Sequence, residues 1–232
     1  MRFTPLFVFV LAVFLPAQSA RSKDEASSEL DTALDRMDRA SANFRSLSAD
    51  VRRVHHLAVI NDDEIDSGTM LIKRSKPRDM RMLVDLTQPD RKTLSFQGRK
   101  VEIYYPKIQT VQEFDLGKNR ELVDQFFLIG FGTSRKDLQA SYNISALGTE
   151  SIHGQTATRL ELIPKSRDVA QHLKKFELWI GGGGYPVQQK FYLPSDETML
   201  VTYSNVKINT NPPDSALKLQ LPSNVKREYP QK

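Results

Sequence analysis

From Ser46 to Leu221 the chain repeatedly alternates apolar and polar residues, which limits it to a sheet with one apolar and one wet face. Leu47, Ala49 and Val51 alternate with Ser48, Asp50 and Arg52. Met70 and Ile72 alternate with Thr69 and Lys73, and Met80, Met82, Val84 and Leu86 with Asp79, Arg81 and Asp85. Leu94 and Phe96 follow, then Val101, Ile103 and Tyr105. Turn formers separate these runs at Asn61-Asp62-Asp63, Pro77, Gln88-Pro89-Asp90 and Gln97-Gly98. Short strands at this spacing predict an antiparallel meander. It resumes with Tyr142 to Leu147, Leu160 and Leu162, then Phe176, Leu178 and Ile180. Gly181 to Gly184 supply a hairpin loop before Val187 to Leu193; Met199, Val201 and Tyr203 continue, and Leu217, Leu219 and Leu221 are expected to close the chain.

Two segments break the pattern. Leu30, Ala33, Leu34, Met37 and Ala40 recur at helical steps after a polar stretch, Arg21 to Ser28, with Asp31, Asp35 and Asp38 on the opposite, solvent-facing side. Leu122, Val123, Phe126, Phe127 and Ile129 cluster in a second helical patch, with Phe131 just past Gly130. The stretch Leu122 to Phe131 is expected to act as a movable lid. Ser134 to Asp137 then reads as a cap opening a short helix with Leu138 on its apolar side. The expected fold is mainly β (α+β), a curved antiparallel sheet with helices across its open mouth. Residues 21–232 show no long linker, low-complexity tract or repeat, so one domain is expected there.

Residues 1–20 read as a signal peptide. Arg2 precedes an apolar run from Leu6 to Leu15, Pro16 breaks it, and cleavage is expected near Ser19-Ala20. The run is too short to span a bilayer, so the destination is the periplasm. Removing Arg2 leaves 32 basic against 28 acidic residues, spread along the chain rather than gathered in runs, which argues against nucleic-acid binding. With no cysteine there are no disulfides, thiol nucleophiles or thiolate metal sites.

Chemistry finds no anchor. His55 and His56 are adjacent in a strand and point to opposite faces. His153 and His172 stand alone, and neither H-E-x-x-H nor G-x-S-x-G occurs. The glycine run leads into Tyr185-Pro186-Val187, strand-like rather than a helix N-terminus, so it is no phosphate loop. No enzyme activity, metal or cofactor is expected. Met70, Met80, Met82, Phe96, Phe126, Phe127 and Phe131 instead give an excess of bulky, adaptable side chains, suited either to a core or to a cavity that moulds around an apolar guest.

Gly68 to Arg74 (GTMLIKR), followed by Pro77 to Met82 (PRDMRM), resembles the G-x-L-x-x-K-R-P…F-R-W block of LolA-type outer-membrane lipoprotein carriers. Gln88-Pro89-Asp90 resembles the family's Q-P-D turn, Gly98 to Pro106 its Y-x-P strand, and Lys174 to Ile180 and Asn205 to Pro222 its late strands. Met82 and Glu102-Ile103 depart from the pattern where tryptophans stand, and Ser75-Lys76 is inserted before Pro77. The resemblance implies an unclosed antiparallel half-barrel with helices capping an apolar cavity for acyl chains of lipoproteins or a related lipid. It also implies an inner-membrane release complex, an outer-membrane acceptor and a role for Arg74 in holding lid helices closed. A lipid- or lipoprotein-sensing regulatory domain of the same fold is the alternative. Met70, Ile72, Met80, Met82, Phe96, Ile103, Phe126, Phe127, Leu160 and Leu178 are the expected acyl-lining residues. By period two Arg74 shares the apolar side with Met70 and Ile72, where a guanidinium needs acceptors such as helix-end carbonyls. A monomer is expected.

Overall fold

A computed structural model describes residues 22–76, 79–117 and 129–230. Helix α1 (Lys23–Asn43) opens the chain. It starts earlier than the apolar periodicity suggests because Ser22 and Glu25 form a reciprocal capping box that extends it through the polar stretch. Ala33, Leu34 and Met37 form its buried stripe, while Asp31, Asp35 and Asp38 stay exposed.

Twelve strands then form one unclosed sheet: β1 (Ser46–Leu57), β2 (Asp62–Lys76), β3 (Asp79–Gln88), β4 (Lys92–Gln97), β5 (Lys100–Tyr105), β6 (Thr110–Asp115), β7 (Tyr142–Ile152), β8 (Gln155–Pro164), β9 (Lys175–Gly181), β10 (Pro186–Tyr192), β11 (Thr198–Ile208) and β12 (Lys226–Glu228). Their spatial order is β12-β6-β5-β4-β3-β2-β1-β11-β10-β9-β8-β7. Neighbours are antiparallel except β12, which pairs parallel with β6. Among the described residues two short helices follow, α2 (Arg135–Ser141) and α3 (Arg167–Ala170). Ser134 caps α2 as its sequence suggests, accepting from the Asp137 amide.

Cross-strand register gathers the apolar alternation on one face. Ala49 stands opposite Met70, Met70 opposite Val84, and Val84 opposite Leu94. Two packed clusters divide this inner face. One holds Leu160, Leu162, Phe176, Leu178 and Ile180 beneath Ala33, Leu34 and Met37 of α1 and Leu138 of α2. The other holds Leu47, Ile72, Met80, Met82 and Phe96 with Phe44 and Phe131. Helix α1 lies so close to the β9–β10 turn that a Cβ on Gly184, whose φ is +78°, would sit 2.3 Å from the Arg36 carbonyl oxygen. Arg135 fastens α2 to α1 through Asp31 (2.5 Å) and Asp35 (2.6 Å), which explains aspartates that the sequence assigns only to solvent.

The C-terminal segment corrects the expected closing strand. Leu217, Leu219 and Leu221 do not pair in the sheet; Asp214–Leu217 is a 3-10 turn and the strand that follows is β12. The segment crosses the outer face, tied by Lys73 to Pro212 O (2.8 Å) and Asp214 (2.6 Å) and by Gln97 to Leu217 O (2.8 Å). An extended strap on a sheet buries alternate side chains without ladder pairing, which produces the same period. Leu217 is its one fully buried leucine.

Candidate functional site

Between the two clusters the inner face hollows into an apolar cavity of about 440 Å³. Its walls are Val51 of β1, Met70 of β2, Met82, Val84 and Leu86 of β3, Leu94 of β4, Ile103 and Tyr105 of β5, and Phe191, Met199, Val201 and Tyr203 from the β10–β11 side. The size lies in the range of roughly 300–1,000 Å³ usual for small-molecule sites. A methylene needs about the room of one water, ~30 Å³, so the space holds on the order of fifteen.

One end is closed by a polar chain inside the core. The Tyr203 hydroxyl donates to Gln189 Oε1 (2.6 Å), and Gln189 Nε2 donates to the Ile129 carbonyl (2.7 Å). Phe131 then packs edge-on against Tyr203 at 5.2 Å. Burial pushes the Tyr203 hydroxyl far above its ordinary pKa, so it stays a neutral donor.

Arg74 lies at this closed end and satisfies the last turn of α1. Its guanidinium donates to Ser41 O (2.7 Å), Phe44 O (2.5 Å) and, more weakly, Gly132 O (3.3 Å), and it covers the Phe44 ring at 5.6 Å. The last carbonyls of a helix lack intrahelical partners, and here Tyr185 takes Ala40 O while Asn209 takes Asn43 O. Gly132, at φ +76°, permits the approach; a Cβ there would lie 2.9 Å from the Phe44 ring. One cation thus joins the end of α1 to the loop before α2.

The opposite end is charged. Asp66 is almost fully buried and takes Arg53 from one side and Lys92 Nζ (2.9 Å) from the other; both cations line the cavity. Burial pushes the Asp66 carboxyl up, but its bonds to Lys92 and Arg53 outweigh this and hold it below the usual carboxylate range.

The family model described as "Outer membrane lipoprotein carrier protein LolA" matches residues 42–220. The chain belongs to the LolA family. Among solved structures, an uncharacterized conserved protein from Thermus thermophilus matches with TM-score 0.54 and 12% identity, over 86% of this chain and 98% of that one. MucB matches with TM-score 0.51 and 14% identity, over 85% of this chain and 64% of its own. The lipoprotein LppX of Mycobacterium tuberculosis matches at TM-score 0.47 and 17% identity, over 83% and 99%. The likenesses to the Thermus thermophilus protein and to MucB show the shared fold. No curated protein matches the chain in sequence.

Within this LolA-family sheet the expected residues separate. Met70, Met82 and Ile103 reach the cavity wall, whereas Ile72, Met80 and Phe96 share the face but are buried around Phe44 and Phe131. Leu160 and Leu178 are fully buried in the other cluster, under α1, and are not brought to the cavity. Phe126 and Phe127 lie outside the described residues, as does most of the expected lid; its end, Ile129 to Phe131, is buried. Residues 1–20 lie outside them too. Among the described residues no helix is long and apolar enough to cross a membrane, and no cluster of His, Asp or Glu is placed to hold a metal. Sequence reading missed Val51, Val84, Leu94 and the whole β10–β11 wall. Their parity was legible, but the pairing of β1 with β11, which curls that wall over the cavity, was not.

Proposed function

We propose that this protein is a periplasmic carrier that hides the acyl chains of a lipoprotein or related lipid and moves them from the inner to the outer membrane. LolA-fold proteins bind and carry lipids or lipoproteins in general. The supporting observation is the apolar cavity itself, which flexible Met70, Met82 and Met199 line and can mould to a guest. Each methylene moved from water into such a wall gains about 0.8 kcal/mol, so a dozen give on the order of 10 kcal/mol. That suffices to take a chain from water and is small enough to reverse at an acceptor. No nucleophile or metal is needed for such work, and the residues at the site suit binding rather than reaction. The release complex and acceptor are membrane partners, and the working form is a monomer.

Mass spectrometry of protein purified from native cell envelope tests this. Wild type should carry acylated molecules. Met82→Glu places a carboxylate on the cavity wall at a cost of several kcal/mol, so that variant, if folded, should be depleted of them by tenfold or more. Wild type free of lipid, or equal loading of both, would overturn the reading.

A further inference from the structure

Two cations on one carboxylate are more than Asp66 needs. A buried carboxylate is neutralised by a single bonded arginine. Arg53 supplies both Nε and Nη2 to the same Asp66 oxygen, yet Lys92 Nζ also binds the other oxygen. The triad therefore carries a surplus positive charge. Among the described residues no acceptor is bonded to Arg53 Nη1.

Its position gives the surplus a use. Arg53 and Lys92 are the charged residues of an otherwise largely apolar wall, and their side chains remain about a quarter exposed, at 26% and 27%. Asp66 and Arg74 are eight residues apart on β2, roughly 27 Å along the strand at ~3.4 Å per residue. The closed, aromatic end lies at Arg74 and the wet, cationic end at Asp66. The next rung outward holds His55 between Glu64 (3.7 Å) and Glu197 (3.1 Å), but none of these three lines the cavity.

We infer that the cavity takes its guest in one orientation and prefers an anionic amphiphile: one alkyl chain lies against Met70, Met82 and Val201, and a carboxylate or phosphate head is held at Arg53 and Lys92. The inference rests on the acyl-binding reading and adds the head-group class. The volume suits a single chain, and an anionic head at the triad accepts the unused donors while balancing the surplus charge. A neutral head gains neither.

Titration with fluorescent cis-parinaric acid and with its methyl ester separates head from chain. Wild type should bind the acid about tenfold or more tighter at low salt, and added salt should narrow the difference. Lys92→Gln removes the surplus charge, so the ratio of acid to ester affinity should fall towards one, whatever the substitution does to ester binding itself. Asp66→Asn removes the competing acceptor, so the preference should widen; should that variant not fold, Lys92→Gln decides alone. Acetate and inorganic phosphate, lacking a chain, should not displace the acid. Equal affinities for acid and ester in wild type, an unchanged ratio in Lys92→Gln, or displacement by free anions would each overturn the inference while leaving the acyl cavity standing. Binding of neither probe would remove both.

Discussion

Replacing Arg74 by leucine preserves bulk and deletes the donors that close the end of α1. Charge-assisted hydrogen bonds contribute about 1.5–3 kcal/mol each. The bonds to Ser41 O and Phe44 O are short, whereas the one to Gly132 O is long enough to count for little. Two good bonds would give roughly 3–6 kcal/mol. Arg74 is only half-buried and Ser41 O also accepts from the Phe44 amide (3.3 Å), so half of that, about 1.5–3 kcal/mol, is the expected loss. Urea unfolding should show a lower midpoint at an unchanged slope. Amide exchange should quicken at residues 38–44 beyond the global change, because the freed carbonyls no longer hold the last turn. If closing this end drives release, Arg74→Leu should still load an acyl probe but pass it to acceptor vesicles more slowly than wild type. A loss under about 0.5 kcal/mol with unchanged local exchange would reduce Arg74 to an ordinary surface arginine.

Other expectations follow from the same contacts. Gly184→Ala should cost at least about 2 kcal/mol by thermal unfolding, because its Cβ would collide with the Arg36 carbonyl and its φ is positive; wild-type stability would mean that α1 shifts freely over the turn. Asp66 is held below its unfolded pKa, so its contribution is present above roughly pH 4 and is lost as pH falls through the depressed folded value. Asp66→Asn should therefore flatten the stability profile on the acid side, and a variant with the same acid dependence as wild type would show that the triad does not set it.

Much of the sheet was legible because alternation survives wherever one face is buried: Met80, Met82, Val84 and Leu86 read as a half-buried strand and form one. Arg74 was legible for the same reason, its parity placing a guanidinium among apolar neighbours. What failed depends on distant partners. Leu217 to Leu221 carry a strand's period while lying as a strap, since periodicity reports burial and not pairing. The Arg53–Asp66–Lys92 triad joins residues of three strands that alternation marks only as charged exceptions. Leu160 and Leu178 have the right parity for the inner face, and only α1 lying over them decides that they are core.

Photo-crosslinking with a diazirine on the acyl chain, followed by peptide mapping, tests the acyl cavity most directly. The account predicts adducts on Met82, Val84, Leu94 and Val201, the strands that wall the cavity. Adducts confined to the Leu160–Leu178 cluster or to the outer face, with none on β3, β4 or β11, would contradict it.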